Sequence, residues 1–299
     1  NHVSCVANGS EHGGRDCWPP ILEIDPDTGR TLKVLDASDS FQMMRNAHGI
    51  EEFRSGEFVS ANPLIAYDGE QLWVAIEHCI PGSIFCGALN HLLFSINPDL
   101  PPTDFAYITP WGNIEGFDLL RADTSTGMVE LDGYLYILDV QNNATCQENE
   151  NCYALRWWDK TDERGPVLDN GGITIDLRQL SGQGPDPADV FDDLHGDMGT
   201  DGARIYISCS MSGVGVGICL FAHDPETNTV TFEGIVDDPI TNSEFTPGPQ
   251  LGGLDMIGGD SMITTDRNSP IVQHWEMDTD EVRGFRLPSR FVIHRVTVR

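Results

Sequence analysis

Four acidic residues and one histidine stand close to strand-like segments of the sequence, where they could bind a cation. The five candidates are Glu115, Asp193, His195, Asp197 and Asp255. Hard cations such as Ca²⁺ take about six to eight oxygen ligands from carboxylates, carbonyls and water. Carboxylates held close together repel one another unless a cation or a proton neutralises them. The sequence therefore offers a candidate calcium site, with His195 as a neighbouring group or base.

The overall acidity of the chain supports a simpler interpretation of the same residues. The 299 residues include 47 Asp and Glu but only 17 Lys and Arg, so the formal net charge is −30. In so acidic a chain, clusters of solvated acids arise by chance. The same charge repels phosphate backbones and anionic lipids, so nucleic acid is not an expected partner. No apolar run approaches the length of about 18 residues that spans a bilayer, so we expect no membrane insertion.

Motifs that identify enzymes are missing from the sequence. It contains no GxSxG nucleophile elbow, no HExxH zinc motif and no GxxxxGK[ST] phosphate loop. The glycine-rich run Gly213–Gly217 lies between two cysteines and precedes no predicted helix, so a flexible loop explains it better than a dinucleotide site. The catalytic residues are therefore unknown, and the sequence favours a protein that is not an enzyme.

Eight cysteines fall into four pairs of close neighbours. The pairs are Cys5 with Cys17, Cys79 with Cys86, Cys146 with Cys152, and Cys209 with Cys219. None forms a CxxC metal or redox motif, so the pattern predicts four short-range disulfides. Disulfides persist in oxidising compartments, which predicts a secreted, extracellular protein whose mature form begins at Asn1. The sequons that begin at Asn8 and Asn143 lie at these cysteine-bounded loops and predict a glycoprotein.

A pattern of about sixty residues recurs along the chain. The turn after the first strand of each repeat contains Asp68-Gly69, Asp132-Gly133, Asp201-Gly202 and, less clearly, Gly259-Asp260. Asp-Gly between alternating apolar residues is a strong hairpin signal. Its third strand ends in Asp or Asn, at Asp25, Asn97, Asp159, Asp224 and Asp278. Such side chains close turns by accepting backbone N–H groups, so we interpret them as turn caps rather than as a ladder of calcium ligands.

This repeat resembles the blades of a β-propeller. The resemblance implies one all-β domain, 1–299, with five four-stranded antiparallel blades. The predicted blades are 1–37 together with 289–299, then 57–110, 115–178, 196–238 and 250–288. In blade one, a C-terminal strand at 291–298 is expected to pair with the N-terminal strands and to close the ring. Segments 38–56 and 178–196 fit no blade, so six blades are the alternative.

Tryptophans are expected to pack between the sheets rather than to form a sugar platform. Trp18, Trp73 and Trp275 are assigned to this role. Trp157 and Trp158 are adjacent in a third strand, and adjacent strand residues point to opposite faces. One of the two is therefore predicted to lie in the core and the other to be partly exposed.

Two functions are consistent with these features. The first is an extracellular, disulfide-stabilised binding or assembly module whose partner is a glycan, another protein or a second copy of the chain. The alternative is a Ca²⁺-dependent hydrolase or lyase with its site at the axial channel, as in propeller enzymes that the architecture resembles. The first is favoured because the scaffold is clear and no nucleophile or base motif accompanies it.

Overall fold

The structure, a computed structural model, describes residues 4–7, 15–18, 21–25, 28–35, 64–79, 89–101, 103–114, 127–140, 152–167, 173–176, 190–212, 215–224, 226–227, 229–237, 251–266, 271–286 and 297. These residues form antiparallel strands and one turn of 3-10 helix, η1 (Phe105–Tyr107). Within these ranges, no helix has the length and apolar character that a membrane crossing requires. The prediction of an all-β chain is confirmed.

The described strands form two hairpins followed by four four-stranded sheets. The hairpins are β1 (Ser4–Ala7) with β2 (Arg15–Trp18), and β3 (Ile21–Ile24) with β4 (Thr31–Leu35). Sheet 1 contains β5 (Leu64–Tyr67), β6 (Leu72–Cys79), β7 (Leu89–Ile96) and β8 (Ile108–Asn113). Sheet 2 contains β9 (Met128–Leu131), β10 (Tyr134–Val140), β11 (Cys152–Asp159) and β12 (Ile173–Asp176). Sheet 3 contains β13 (Val190–Thr200), β14 (Ile205–Ser212), β15 (Gly215–Asp224) and β16 (Thr229–Asp237), and sheet 4 contains β17 (Leu251–Ile257), β18 (Ser261–Asp266), β19 (Ile271–Glu276) and β20 (Glu281–Arg286).

The turn between the first and second strands follows the Asp-Gly signal in sheets 1 and 3. Gly69 and Gly202 have φ values of +95° and +86°, which an L-residue rarely adopts. The Oδ1 atoms of Asp68 and Asp201 each accept two backbone N–H groups of their own turn at 2.7–2.9 Å. In sheet 2 the turn N–H of Gly133 instead donates to Oε1 of Glu130 at 2.9 Å.

The turn after the third strand is closed by four of the five predicted side chains, those of Asp25, Asn97, Asp159 and Asp224. Asn97, Asp159 and Asp224 accept the backbone N–H group two residues further along at 2.8–3.0 Å. Asp25 accepts the hydroxyl of Thr28 at 2.8 Å, and Asp224 accepts that of Thr227 at 2.7 Å. These side chains therefore act as turn caps.

Apolar side chains fill the spaces between successive sheets. Trp73, Leu93, Leu135 and Trp158 pack between sheets 1 and 2. Tyr136, Leu155, Ile207 and Phe221 pack between sheets 2 and 3, and Tyr206, Leu254, Met262 and Trp275 pack between sheets 3 and 4. Since neighbouring residues of one strand belong to different clusters, the middle sheets bury both of their faces.

The four sheets are arranged around their first strands. Contacts between sheets join β5 to β9, β9 to β13, and β13 to β17. The first strands are therefore the inner ones, and β8, β12, β16 and β20 lie at the outer edges. Sheets that pack face to face around a common centre in chain order form a β-propeller.

The hairpin β3–β4 lies between the last sheet and the first. Ile21 and Leu35 pack with Leu72 and Phe94 of sheet 1. On the other side, Ile24 packs with Ile263, Val272 and Phe285 of sheet 4. The hydroxyl of Thr297, close to the C-terminus, donates to Oδ2 of Asp255 on β17 at 2.9 Å. Both ends of the chain therefore contribute to the position between sheets 4 and 1.

The number of complete blades differs from the prediction. The described residues show four four-stranded blades rather than five, and blade one is represented by the separate hairpins β1–β2 and β3–β4. In the sequence, Pro19 and Pro20 stand between β2 and β3. Proline has no N–H to donate to a ladder, so β2 and β3 do not form one continuous strand. The strand expected at 291–298 lies outside the described residues except for Thr297.

Replacement of Gly29 by alanine tests the contact between the hairpin and sheet 4. Gly29 has φ +67°, and a Cβ there would lie 2.5 Å from Cδ2 of Phe285. Gly258 is a matched control, because its φ is +65° and its Cβ would meet nothing within 4 Å. Each variant should lose about 1 kcal/mol from the left-handed backbone. We expect Gly29→Ala to lose about 1–3 kcal/mol more in urea unfolding, because the added methyl group overpacks the contact. Equal losses would contradict the packing of the hairpin on sheet 4.

Candidate functional site

Three of the predicted cation ligands lie on one inner strand. Asp193, His195 and Asp197 belong to β13. The pairing of β13 with β14 is irregular here, because Leu194 pairs with Cys209 whereas Met198 pairs with Ile207. The three residues from His195 to Asp197 therefore span the interval that Ser208 alone occupies on β14. Such bulges are frequent beside active sites because they redirect side chains. The side chains of the three candidates lie outside what the structure describes.

The neighbouring inner strand β17 carries a fourth candidate, Asp255. Its side chain is 8% exposed, and its Oδ1 accepts the N–H of Met256 at 2.9 Å and of Thr200, on β13, at 3.4 Å. Its Oδ2 accepts the hydroxyl of Thr297 at 2.9 Å. Asp255 also lies against Gly199, where a Cβ would be 2.7 Å from the Cα of Asp255. Asp255 thus joins β17 to β13 and to the C-terminal segment. Its neighbour on β13, Gly199, is two residues after Asp197.

The remaining predicted sites lie outside the described residues. Glu115 follows β8 and Ile114 but is not described, and neither are the sequon residues Asn8 and Asn143. Among the residues that are described, no group of three or more His, Cys, Asp and Glu side chains could hold a metal ion. The calcium site proposed from the sequence therefore remains a prediction.

One predicted disulfide is present. Cys209 on β14 and Cys219 on β15 are bonded, with 6.0 Å between their Cα atoms. Both residues are fully buried between sheets 2 and 3. Cys5 and Cys17 occupy paired positions on β1 and β2, whereas Cys86 and Cys146 lie outside the described residues. The bonds Cys5–Cys17, Cys79–Cys86 and Cys146–Cys152 stay predictions.

Four of the five tryptophans with an assigned role pack as predicted, and the side chain of the fifth, Trp18, lies outside what the structure describes. Trp73 and Trp275 are buried, and Trp158 lies in the core while Trp157 is partly exposed. The rings of Trp73, Trp111 and Trp158 form a cluster with centroid distances of 5.3–5.8 Å. This cluster joins sheets 1 and 2, so its tryptophans act as packing residues.

A charged group that no pattern in the sequence predicts spans the same interface. Lys160, at the end of β11, lies 3.0 Å from Oδ2 of Asp68 and 2.9 Å from Oε1 of Glu130. The same Asp68 oxygen accepts the indole N–H of Trp73 at 2.7 Å, and the ammonium of Lys160 stands 5.6 Å from the ring centroid of Trp73. The contact with Asp68 joins residues that are 92 positions apart in the chain. A local pattern contains no signal for such a pair.

The environment of this group alters its acid–base behaviour. Burial raises the pKa of Asp68, but hydrogen bonds from the N–H of Gln71, the indole of Trp73, the N–H of Glu70 and Lys160 outweigh it, so the net pKa is below its usual value. Burial lowers the pKa of Lys160, but its bonds to Glu130 and Asp68 raise it above the usual value. Both groups are therefore charged at neutral pH.

The contact between Asp68 and an aromatic residue recurs in sheet 3. Oδ2 of Asp201 accepts the hydroxyl of Tyr206 at 2.8 Å. In both sheets the aromatic residue stands five positions after the aspartate. Burial raises the pKa of Asp201, but bonds from Ala203, Tyr206 and Arg204 lower it overall. These aspartates therefore close a turn with one oxygen and fix an aromatic side chain with the other.

Comparison with known proteins finds only distant structural similarity. No family model and no characterised protein matches the sequence. Similar solved structures include 1,3Gal43A, an exo-β-1,3-galactanase from Clostridium thermocellum, with 9% identity over 90% of this chain and 52% of that chain, and a TM-score of 0.43. Another is Sqt1 of Saccharomyces cerevisiae, with 8% identity over 78% of this chain and 49% of that chain, and a TM-score of 0.34. The chain spans about half the length of each structure, and the similarity is too low to transfer an activity.

Replacement of Asp68 by asparagine should reduce stability at neutral pH. The pKa of Asp68 is lowered on folding, so its carboxylate stabilises the fold above the unfolded value of about 3.9, and this contribution is lost as the pH falls through the folded value. We expect Asp68→Asn to lose about 1 kcal/mol at pH 7, because a partly exposed ion pair contributes little more. The deficit should shrink as the pH is lowered from 7 to below the unfolded value of about 3.9, where the carboxylate of the unmodified protein becomes protonated.

Urea unfolding at both pH values measures this difference between variant and unmodified protein. Asp260→Asn is the control, since it removes the same charge from an exposed turn. A deficit that does not change with pH would contradict the role assigned to the Asp68 carboxylate.

Proposed function

We propose that the protein is an extracellular, disulfide-stabilised glycoprotein propeller that acts as a binding or assembly module. The observation that carries the extracellular part is the disulfide between Cys209 and Cys219, both of which are 0% exposed. Disulfides persist in secreted proteins and are rare where thiols are kept reduced. The fully buried bond joins the core strands of sheet 3, which supports a structural role for it.

The binding part of the proposal is supported by apolar side chains at the surface. Leu32 and Val34 on β4 are 58% and 52% exposed, and Phe105 of η1 is 67% exposed. Leu32 and Val34 lie close together on one short strand, and neighbouring exposed apolar side chains are typical of interaction sites. The partner is a glycan, a protein or a second copy of the chain. The net charge of −30 repels polyanions, so a partner of that kind is not expected.

The five-bladed ring is part of the same proposal. The hairpin β3–β4 packs on sheets 1 and 4, and Thr297 reaches the inner strand β17. A C-terminal strand beside these contacts would give the fifth blade its innermost strand. The N-terminal hairpins would supply the rest of that blade, and the ring would close without a free inner edge.

Removal of the disulfide should lower stability without unfolding the propeller. The bond closes a loop with a sequence separation of 10, for which loop entropy contributes about 2–3 kcal/mol. We therefore expect Cys209→Ala with Cys219→Ala to reduce the free energy of unfolding by about that amount. Non-reducing peptide mapping of the secreted protein should recover the Cys209–Cys219 link in the unmodified chain. Free thiols at both positions in secreted protein would contradict the proposal.

Binding can be examined directly with the purified, glycosylated protein. A glycan array tests carbohydrate partners, and sedimentation velocity over a range of concentrations tests self-association. Binding in either assay supports the module. If the protein stays monomeric and binds no glycan, both a glycan and a second copy of the chain are excluded as its partner.

A second candidate function is a Ca²⁺-dependent hydrolase or lyase with its site at the inner strands. The observation that favours it is the bulge of β13 at His195–Asp197 beside the buried Asp255. Ser208 lies opposite the bulge, and in the described part of the chain its fully buried hydroxyl has no hydrogen-bond partner. A buried hydroxyl without a partner is costly, so a bound ion with its water would stabilise the site.

Calcium binding provides the test of this second function. If the inner strands bind Ca²⁺, a concentration one hundred times the Kd should stabilise the fold by about 2.7 kcal/mol and raise the Tm. Addition of EDTA should reverse the change. Asp197→Asn should abolish the response, whereas Asp260→Asn, in an exposed turn, should keep it. An unchanged Tm with Ca²⁺ and EDTA would remove the reason for the enzyme hypothesis.

A further inference from the structure

Two hydroxyl groups are fully buried between sheets 3 and 4. Ser208 on β14 and Thr264 on β18 are both 0% exposed. Across the residues that the structure describes, neither Oγ of Ser208 nor Oγ1 of Thr264 has a hydrogen-bond partner. Folded proteins rarely leave a buried polar group unpaired, because the group loses the bonds that water gave it in the unfolded chain. The pair therefore indicates that a further group binds here.

The two hydroxyls enter the same interface from opposite sides. Ser208 stands two residues after Tyr206, so both side chains lie on one face of β14. Tyr206 packs with Leu254 and Met262 of sheet 4, so this face of sheet 3 points toward sheet 4. Thr264 stands two residues after Met262 and, for the same reason, points toward sheet 3.

The hydroxyls also lie at the same level of the two sheets. Ser208 pairs with Ile218 of β15, and Thr264 pairs with Gln273 of β19. In both sheets this pair is the next one, on the same face, after an apolar pair that packs in the shared cluster. Ser208 and Thr264 therefore face one another across the interface without a hydrogen bond between them.

The other interfaces carry apolar residues on the same second strands. Ala75 and Ile137 pack between sheets 1 and 2, and Leu138 and Cys209 pack between sheets 2 and 3. The fold therefore does not require a hydroxyl at these places. Ser208 and Thr264 are a property of the interface between sheets 3 and 4.

The surroundings of the two hydroxyls select an uncharged ligand. Every described side chain in the cluster between sheets 3 and 4 is uncharged, and the neighbour of Thr264, Gln273, is an amide that is 2% exposed. Each hydroxyl can donate one hydrogen bond and accept others. A ligand that donates to one hydroxyl and accepts from the other satisfies both. Water does this, and a buried water forms about three hydrogen bonds to such groups.

We propose that the interface between sheets 3 and 4 binds a water molecule that bridges Ser208 and Thr264. The bulge of β13 lies beside this place, since the three residues from His195 to Asp197 stand opposite Ser208. A bulge leaves backbone groups outside the ladder, and these can supply the remaining bonds of the water. The water then supports the inner strand where its pairing with β14 is interrupted. This inference does not depend on the extracellular location or on the partner of the protein.

Replacement of Thr264 by valine tests the bridge, because valine keeps the shape and removes the hydroxyl. If the hydroxyl bonds a water, urea unfolding should show a folded-to-unfolded equilibrium constant lower by roughly fivefold or more. If the hydroxyl has no partner of any kind, its removal should raise that constant. An unchanged or raised constant overturns the proposal.

Thr109→Val is the matched control, because Thr109 is an exposed threonine on the outer strand β8. It should change the equilibrium constant by no more than roughly twofold.

A double-mutant cycle tests whether one ligand joins the two hydroxyls. Ser208→Ala and Thr264→Val remove the two partners of one water, so the double variant should lose less than the product of the single effects, by roughly threefold or more. Ser208→Ala combined with Thr109→Val should show no such coupling. Independent effects of Ser208→Ala and Thr264→Val overturn the bridge.

The same unfolding measurements in EDTA and in Ca²⁺ separate water from a metal ion. A water bridge predicts an equal loss for Thr264→Val in both conditions. A loss that requires Ca²⁺ assigns the hydroxyls to the cation of the second candidate function and overturns the water bridge. A crystal structure that resolves ordered waters should show one between Oγ of Ser208 and Oγ1 of Thr264, whereas a direct bond between these two atoms would refute it.

Discussion

The requirement to cover both apolar faces of every sheet governs this structure. In β10, Leu135 and Ile137 pack toward sheet 1, whereas Tyr136 and Leu138 pack toward sheet 3. A sheet of this kind cannot have one face in water, as many antiparallel sheets do. A linear stack would leave an apolar face at each end, and a ring leaves none. The packing of β3–β4 between sheets 4 and 1 follows from the same requirement.

Specific polar contacts fix how neighbouring sheets meet. Apolar packing alone is not directional, so it tolerates small rotations of one sheet on the next. Lys160 of sheet 2 contacts Asp68 of sheet 1 and Glu130 of its own sheet, and the ion pairs stand beside the tryptophan cluster. Asp255 has an equivalent role between β17, β13 and the C-terminal Thr297. Both groups set relative positions that the apolar clusters alone would leave variable.

Features that depend on a few neighbouring residues were predictable from the sequence. The turns at Asp68 and Asp201, the caps at Asp159 and Asp224, and the bond between Cys209 and Cys219 all depend on residues close together in the chain. Contacts between distant segments were not predictable. The pairing of Lys160 with Asp68 and of Asp255 with Thr297 depends on how the sheets meet, which no local pattern encodes. The split of blade one follows from Pro19 and Pro20, whose effect on the ladder the repeat pattern did not take into account.

The acidity of the chain has a structural cause as well as an effect on its partners. A turn leaves backbone N–H groups without acceptors, and a carboxylate can accept two of them while a lysine can accept none. Asp68 and Asp201 each do this with Oδ1 and hold an aromatic side chain with Oδ2. A fold with many short turns therefore gains from aspartate at each one and acquires negative charge in consequence. The same charge opposes the approach of polyanions and of other copies of the chain.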